Sequence, residues 1–267
     1  MDANAKAEAA SVAMGDGGTA KGRLIIVGDV HGCLHELSQL MERIEPAVED
    51  RIIFIGDLID KGPDSVGVVR FVVELAKSRR VELILGNHEE KFLRFVRHSR
   101  EGKGKERPMQ GTEDYPNLME SLTENELHWL EGAYYSLHLP ERQLLLLHAG
   151  IPLQVHFPMP ATYRYGIHTP KEFKGLELLS LTRYLNPAGH FVGLGQETAQ
   201  DTYWAETYDG RYGHIVFGHQ PFTDDPAPRG FPHATGIDTG CVLGGRLSAL
   251  VFAEHSAPQA FVVEKNR

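Results

Sequence analysis

Five short apolar runs, each ending beside a glycine and an Asp, Asn or His, constrain this chain more than any other feature. The central run is Ile52–Ile55, followed by Gly56-Asp57 and then by Asp60-Lys61-Gly62-Pro63. Leu24–Val27 runs into Gly28-Asp29-Val30-His31-Gly32, and Val81–Leu85 into Gly86-Asn87-His88-Glu89. Leu144–Leu147 delivers His148-Ala149-Gly150, and Ile215–Phe217 delivers Gly218-His219. Apolar runs of this length, bounded by glycine and turn residues, predict buried strands. A single Gly-Asp after a strand is ordinarily a turn or a helix cap. Five such endings predict strand ends that converge, because α/β sheets bind ligands at the carboxyl ends of their strands. Glycine there lets the backbone pass close to whatever is bound.

Helical spacing follows two of these endings. Leu34, Leu37, Leu40, Met41 and Ile44 predict a helix stopped by Pro46. Asp64 or Ser65 caps another with an apolar face of Val66, Val69, Val73 and Ala76. A third helix is expected after Glu89, with Phe92, Phe95 and Val96 inward. Thr123-Glu124-Asn125-Glu126 fits a capping box that opens a short helix through Leu130. Arg97–Arg107 reads as a solvated loop, and Ala234–Ile237 and Leu247–Phe252 as further strands. Strand, loop and helix in repetition predict an α/β layered domain.

The chain's 267 residues suffice for one catalytic domain, read as 23–267, with 151–204 as an irregular excursion that shapes a substrate pocket. Residues 1–22, rich in Ala and Gly, predict a disordered tail with neither a secretory nor a mitochondrial signal. A net charge of −9 argues against broad binding to DNA, and no apolar run is long enough to suggest a membrane partner. The two cysteines, Cys33 and Cys241, form no disulfide framework, and a reducing, cytoplasmic home is expected.

The strand-end residues Asp29, His31, Asp57, Asn87, His148 and His219 form a mixed carboxylate, amide and imidazole set. Such donors suit manganese, iron or zinc rather than calcium. Six ligands exceed what one catalytic metal with open positions needs. They suit two metals sharing a carboxylate, for which Asp57 in the central loop is the natural bridge. A metal pair of that kind clamps both oxygens of an in-line phosphoryl displacement and activates water at neutral pH.

GDVHG at 28–32, GDLIDKG at 56–62, GNHE at 86–89, HAG at 148–150 and GH at 218–219 together resemble the calcineurin-like metallophosphoesterases, in their phosphoprotein phosphatase branch. The resemblance implies two packed mixed β-sheets flanked by helices, a four-layer sandwich. It implies two divalent metal ions: manganese first, with iron, zinc, cobalt or magnesium as alternatives. One would be held by Asp29, His31 and Asp57, the other by Asp57, Asn87, His148 and His219. His88 would be the general acid, oriented by Asp60, which favours its protonated form. Lys61 stands where the family carries a phosphate-binding arginine, and keeps the charge without the bidentate fork. Asn87 and Arg183 are the other candidates for phosphate contact.

IDTGCVLGGRLSAL at 237–250 and LTRYLNPAGHF at 181–191 resemble segments of bacterial symmetrical diadenosine tetraphosphate hydrolases. The implied substrate is a dinucleoside polyphosphate, a small-molecule nucleotide. The alternatives are a serine/threonine phosphoprotein and the nucleotide-capped 5′ end of an RNA. Tyr163, Tyr165, Tyr203 and Trp204 could stack on a base or pack in the core.

Overall fold

The structure, a computed structural model, describes residues 22–102, 111–153, 155, 157–225, 227–254 and 256–265. The expected tail falls, but for Gly22, outside the described residues. In chain order the elements are β1 (Leu24–Val27), α1 (Leu34–Ile44), β2 (Arg51–Phe54), α2 (Ser65–Ala76), β3 (Arg80–Leu83), α3 (Asn87–Arg100), α4 (Tyr115–Ser121) and α5 (Glu124–Glu131). There follow β4 (Tyr134–Leu139), β5 (Leu144–Leu147), β6 (Tyr163–Arg164), β7 (Tyr184–Leu185), β8 (Phe191–Val192), β9 (Thr202–Tyr203) and α6 (Trp204–Thr207). The chain ends with β10 (His214–Phe217), β11 (Arg229–Gly230), β12 (Ala234–Gly236), β13 (Arg246–Phe252) and β14 (Gln259–Glu264).

Two large mixed sheets result, one ordered β14-β13-β1-β2-β3 and the other β11-β12-β10-β5-β4-β6. In the first, β1, β2 and β3 are parallel, while β13 and β14 continue antiparallel. In the second, β5, β10 and β12 are parallel. The strands most buried on both faces read as continuous apolar runs rather than as alternation. Leu24, Ile26, Ile53, Ile55, Leu144, Leu146 and Val216 fill a layer of their own with Ile84 and Leu137. Their neighbours in sequence, Ile25, Val27, Ile52 and Phe54, join another cluster with Leu37, Leu40, Val68 and Val72 of the helices. The two sheets meet where Ile84, just past β3, bridges to Tyr134 and the Leu85 N–H donates to the Tyr134 carbonyl at 2.7 Å. A third, three-stranded sheet, β8-β7-β9, lies within the 151–204 excursion.

Several local expectations need correction. Asp64 does cap α2, accepting the Gly67 N–H at 2.7 Å, but its buried face is Val68, Val69 and Val72, with Val66 and Val73 half-buried. A run this rich in valine carries no unique period, so packing chose the face. The helix α3 begins at Asn87 rather than after Glu89, capped by extended Gly86, and buries Leu93 with Phe92 and Val96 while Phe95 is half-buried. Arg97–Arg100 continue that helix instead of opening a loop, and 103–110 fall outside the described residues. The capping box at Thr123 and Glu126 forms as expected. Among the described residues no helix is long and apolar enough to cross a membrane.

Asp50 anchors the start of the first sheet. Its carboxylate accepts from the Arg23 N–H at 2.7 Å, the Arg23 guanidinium at 2.8 and 3.0 Å and the Ala47 N–H at 2.9 Å. Burial works against its charge, but these bonds outweigh burial and hold the carboxyl below its usual value. A carboxyl lowered on folding stabilises the fold above its unfolded pKa, about 4, and loses that contribution as pH falls through the lower folded value. Asp50→Asn should therefore cost about 1–3 kcal/mol in urea unfolding at neutral pH. The gap from the unmutated protein should shrink as the pH is lowered below the unfolded value; a gap that stays constant would count against this linkage.

Candidate metal centre

The parallel strands β1, β2 and β3 of one sheet, and β5 and β10 of the other, point their carboxyl ends at one place. Asp29 and His31 follow β1, Asp57 follows β2, Asn87 and His88 open α3 after β3, His148 follows β5 and His219 follows β10. The six candidate ligands are brought to this place, with His88, Asp60, Lys61 and Arg183 around them. The loops that carry them are tightly turned. Seven non-glycine residues among those described have positive φ, and His31, Asp57, Asp60, Lys61 and His219 are five of them. Left-handed backbone in such residues is strained, and it persists where the surroundings fix it.

The glycines explain the close approach. A Cβ on Gly218 would lie 2.0 Å from Asp29 Oδ1, and one on Gly86 2.2 Å from Asp57 Oδ1. At both positions any side chain would collide with a carboxylate oxygen of the centre.

His31 and His148 are each fixed by one ring nitrogen. His31 Nδ1 donates to the Ile59 carbonyl at 2.9 Å, and His148 Nδ1 to that of Ile55 at 2.7 Å. Their Nε2 atoms face Asp57, at 3.4 Å from Oδ2 and 3.4 Å from Oδ1 respectively. Asn87 Oδ1 lies 3.2 Å from His148 Nε2. Asp29 Oδ2 accepts the His219 N–H at 2.9 Å, whereas Asp29 Oδ1 and both ring nitrogens of His219 are buried without a partner. Such orphaned donor and acceptor atoms are costly in a folded interior unless something occupies the space between them.

The donor atoms of His31, Asp57 and His88 lie within 4.8 Å of one another, and so do those of Asp57, His148 and His219. Asp57 is common to both groups. Asp29, Asp57 and Glu89 are buried here, together with Asp238, which follows β12. Burial and the nearby Asp238 push the Asp29 carboxyl well up. Burial would do the same to Asp57, but His148, His31 and His88 around it hold it well below the ordinary range. His148 is pushed up to about 9 because Asp57 and Asp29 outweigh its burial, while burial lowers His31 to about 4 and His219 further. Buried carboxylates, the neutral imidazoles of His31 and His219 and their orphaned neighbours together fit divalent cations, which would supply beside Asp57 the positive charge that His148 otherwise gives.

His88 stands apart from the inner group. Its Nδ1 donates to Asp60 Oδ2 at 2.6 Å, and the Tyr115 hydroxyl donates to the same oxygen at 2.7 Å. Its Nε2 lies 3.9 Å from Asp57 Oδ2, on the side of the inner group. Lys61 Nζ donates to His31 Nε2 at 3.0 Å, and the Arg183 guanidinium to the His219 carbonyl at 2.9 Å. Arg183 Nε is buried without a partner. Tyr163 and Trp204 are buried in the core, and Tyr203 packs among Tyr184, Phe217, Phe222 and Phe231.

Three participants escaped the sequence reading. Glu89, wholly buried, accepts the Asp57, Leu58 and Ile59 N–H groups at 2.7, 2.8 and 3.2 Å. Burial and Asp57 raise its carboxyl to about 7. Asp238 ends β12 as the other acids end their strands, but Ala234-Thr235-Gly236 is too short and polar a run to have been counted among the five. Tyr115 carries no signal in the sequence, because its partner Asp60 is far away in the chain.

Strand-end carboxylates and imidazoles gathered on one shared aspartate define a metal-centred hydrolase of the two-sheet α/β type. The chain belongs to the calcineurin-like phosphoesterase family, whose model matches residues 22–247, and it is a metal-dependent hydrolase. It is 32% identical to the asymmetrical bis(5'-nucleosyl)-tetraphosphatase PrpE of Oceanobacillus iheyensis, over 91% of this chain and 96% of that protein. A crystal structure provisionally assigned as a diadenosine tetraphosphatase is 26% identical, with a TM-score of 0.67 over 92% of this chain and 95% of its own. A Saccharomyces cerevisiae serine/threonine phosphatase shares the fold alone, at 13% identity and a TM-score of 0.60 over 100% of this chain and 91% of its own. The kinship expected with diadenosine tetraphosphatases is thus shown, although the PrpE relative is named asymmetrical where the sequence pointed to symmetrical enzymes.

Removing the Glu89 carboxylate leaves three buried N–H groups of the Asp57 loop unpartnered, at roughly 1–3 kcal/mol for each that finds no substitute. Glu89→Ala should therefore lower both the unfolding free energy, by more than about 2 kcal/mol, and the bound metal found by elemental analysis. A variant with unchanged stability and metal content would show that the loop does not depend on Glu89.

Proposed function

We propose that this chain hydrolyses dinucleoside polyphosphates at a two-metal centre in the cytoplasm, cutting the phosphate chain off-centre. The observation that carries the reading is the near full-length match to an asymmetrical tetraphosphatase in a chain whose strand-end donors all converge. Asp29, His31 and Asp57 would hold one metal, and Asp57, Asn87, His148 and His219 the other, with manganese, iron or zinc suited to this donor set. Bound there, divalent metals supply positive charge to the phosphoryl oxygens and acidify the attacking water.

The chain's own residues supply the rest. His88, held by Asp60, delivers a proton from Nε2 to the leaving oxygen. Tyr115 orients Asp60; burial and the Asp60 bond push its hydroxyl well up, so it stays a donor. Lys61 and Arg183 bind phosphates on either side of the reacting one, and the unpartnered Nε of Arg183 gives it a donor to spare. A cleft of about 470 Å³ beside Asp60 and Lys61, lined also by Pro63, Tyr115, Asn117 and Ser121, has the volume of a small-ligand site and adjoins the acid. The nucleotide-capped end of an RNA presents the same linkage and is a second substrate on this reading.

Chromatography of the products of diadenosine tetraphosphate gives the direct test. Off-centre cleavage yields a nucleoside triphosphate and a nucleoside monophosphate; two diphosphates would mean symmetrical cleavage. Turnover of a phosphopeptide with no cleavage of the dinucleotide would move the assignment to a protein phosphatase.

For His88→Asn we expect near-normal metal content and a rate lowered roughly 10²–10³-fold, within the range for loss of a general acid. The loss should be smaller with an aryl phosphate whose leaving group needs no proton. Equal losses on good and poor leaving groups would remove His88 from that role.

A further inference from the structure

Behind the first strand-end loop lies a second group of donors that the phosphoesterase chemistry does not use. Cys33 is the N-cap of α1, and Glu36 lies in the first turn of that helix. Cys241 opens the turn after Gly240, whose φ is +71°. All three side chains are buried, at 0, 2 and 2% exposure. One donor atom from each lies within 4.8 Å of the others. Lys265, just past β14, reaches into the group, with Nζ 3.0 Å from Glu36 Oε2 and 3.4 Å from Cys33 Sγ.

We propose that Cys33, Glu36 and Cys241 form a second metal site, separate from the catalytic centre and selective for a thiophilic divalent cation such as zinc or cadmium. Around zinc, sulfur lies at about 2.3 Å and carboxylate oxygen at about 2.0–2.2 Å, so adjacent donors of a tetrahedral site are separated by roughly 3.5–3.8 Å. The three donors already lie within 4.8 Å of one another, so that spacing requires them to close by no more than roughly 1 Å. A fourth position is left for water.

The charges also balance. With both thiols protonated, the Glu36 carboxylate and the Lys265 ammonium cancel. A divalent cation displaces the two thiol protons to solvent, so two thiolates and a carboxylate face the cation and Lys265, again with no net charge. The interior therefore carries no unpaired charge in either state, and no electrons move. Lys265 shows that this group already holds a positive charge. Its backbone is tied down by the N–H bond to the Gly245 carbonyl at 3.0 Å, but its side chain is 22% exposed and can make room for the cation while its ammonium stays beside Glu36. Selectivity follows from the donors: thiolates favour soft cations, whereas the catalytic centre offers only oxygen and nitrogen. Occupancy would join the loop bearing Asp29 and His31 to the turn that follows Asp238, bracing the centre from behind.

The test is a cadmium titration of the reduced full-length protein, already loaded with manganese. A sulfur-to-cadmium charge-transfer band in the ultraviolet reports thiolate ligation, and the oxygen and nitrogen centre is silent there. The band should saturate at one cadmium per chain and be reversed by zinc. Cys33→Ser and Cys241→Ser should each weaken binding by at least tenfold with loss of band intensity, and Glu36→Gln should weaken binding with the band retained. Should a serine variant fail to fold, the stoichiometry and zinc reversal in the unmutated protein still decide. No band from protein whose two thiols are shown to be reduced after unfolding would overturn the site. So would a band unchanged in Cys241→Ser, or a Cys33–Cys241 disulfide that forms readily in protein that takes up no cadmium once reduced.

Discussion

The loop at Asp57 is the constraint on which the other parts of the centre depend. Gly56, with φ at +107°, and Asp57, at +51°, turn the chain sharply off β2. The turned loop then bonds to both neighbouring loops at once. Its Asp57 carbonyl accepts the N–H groups of Val30 and His31 at 3.1 and 2.8 Å, and its Leu58 carbonyl that of Gly32 at 2.8 Å. On the other side, Glu89 accepts three N–H groups of the loop, and Asp57 Oδ1 accepts the His88 N–H at 3.2 Å. Backbone bonds on one side and carboxylate-to-backbone bonds on the other therefore fix three strand ends relative to one another. That is the rigid support a catalytic centre requires, since small displacements of its groups are costly.

The electrostatics follow from the same convergence. Parallel strands set side by side bring their polar endings together, and here three of those endings are the acids Asp29, Asp57 and Asp238. Lys61 and Arg183 are the cations that face them from the central loop and the excursion. The excess of carboxylate shows in Asp29, Glu89 and Asp238, the last pushed up to about 6 chiefly by burial. These acids and imidazoles make poor structural sense alone and good sense around divalent cations.

Much of this was legible because strand ends repeat a local pattern. Gly-Asp, Gly-Asn-His and Gly-His after apolar runs need no knowledge of distant contacts, and each reached the centre. Glu89 and Tyr115 were not legible in the same way, because their work is done on a loop and an acid far off in sequence. The face of α2 was misread for another reason: five valines in twelve residues satisfy several helical phases, and only packing on the sheet selects one. The antiparallel edge was missed as well. β14 is half exposed, with a weak apolar pattern, and its pairing with β13 supplies what its sequence does not.

A fold shared with a serine/threonine phosphatase at 13% identity means that the sandwich by itself does not choose the substrate. On the proposed reading the choice lies in what borders the centre. Arg183 is held by the His219 carbonyl, two residues past the end of β10, which fixes its guanidinium beside the centre. The cleft lies against Asp60, which bonds His88. On that reading a phosphate chain would run from the arginine across the centre towards His88, with its leaving portion beside the cleft. Which bond is cut is set by how many phosphates fit between the cleft and the shared aspartate. A short span there places the break near one end of the chain, and that is the geometry an asymmetrical cleavage requires.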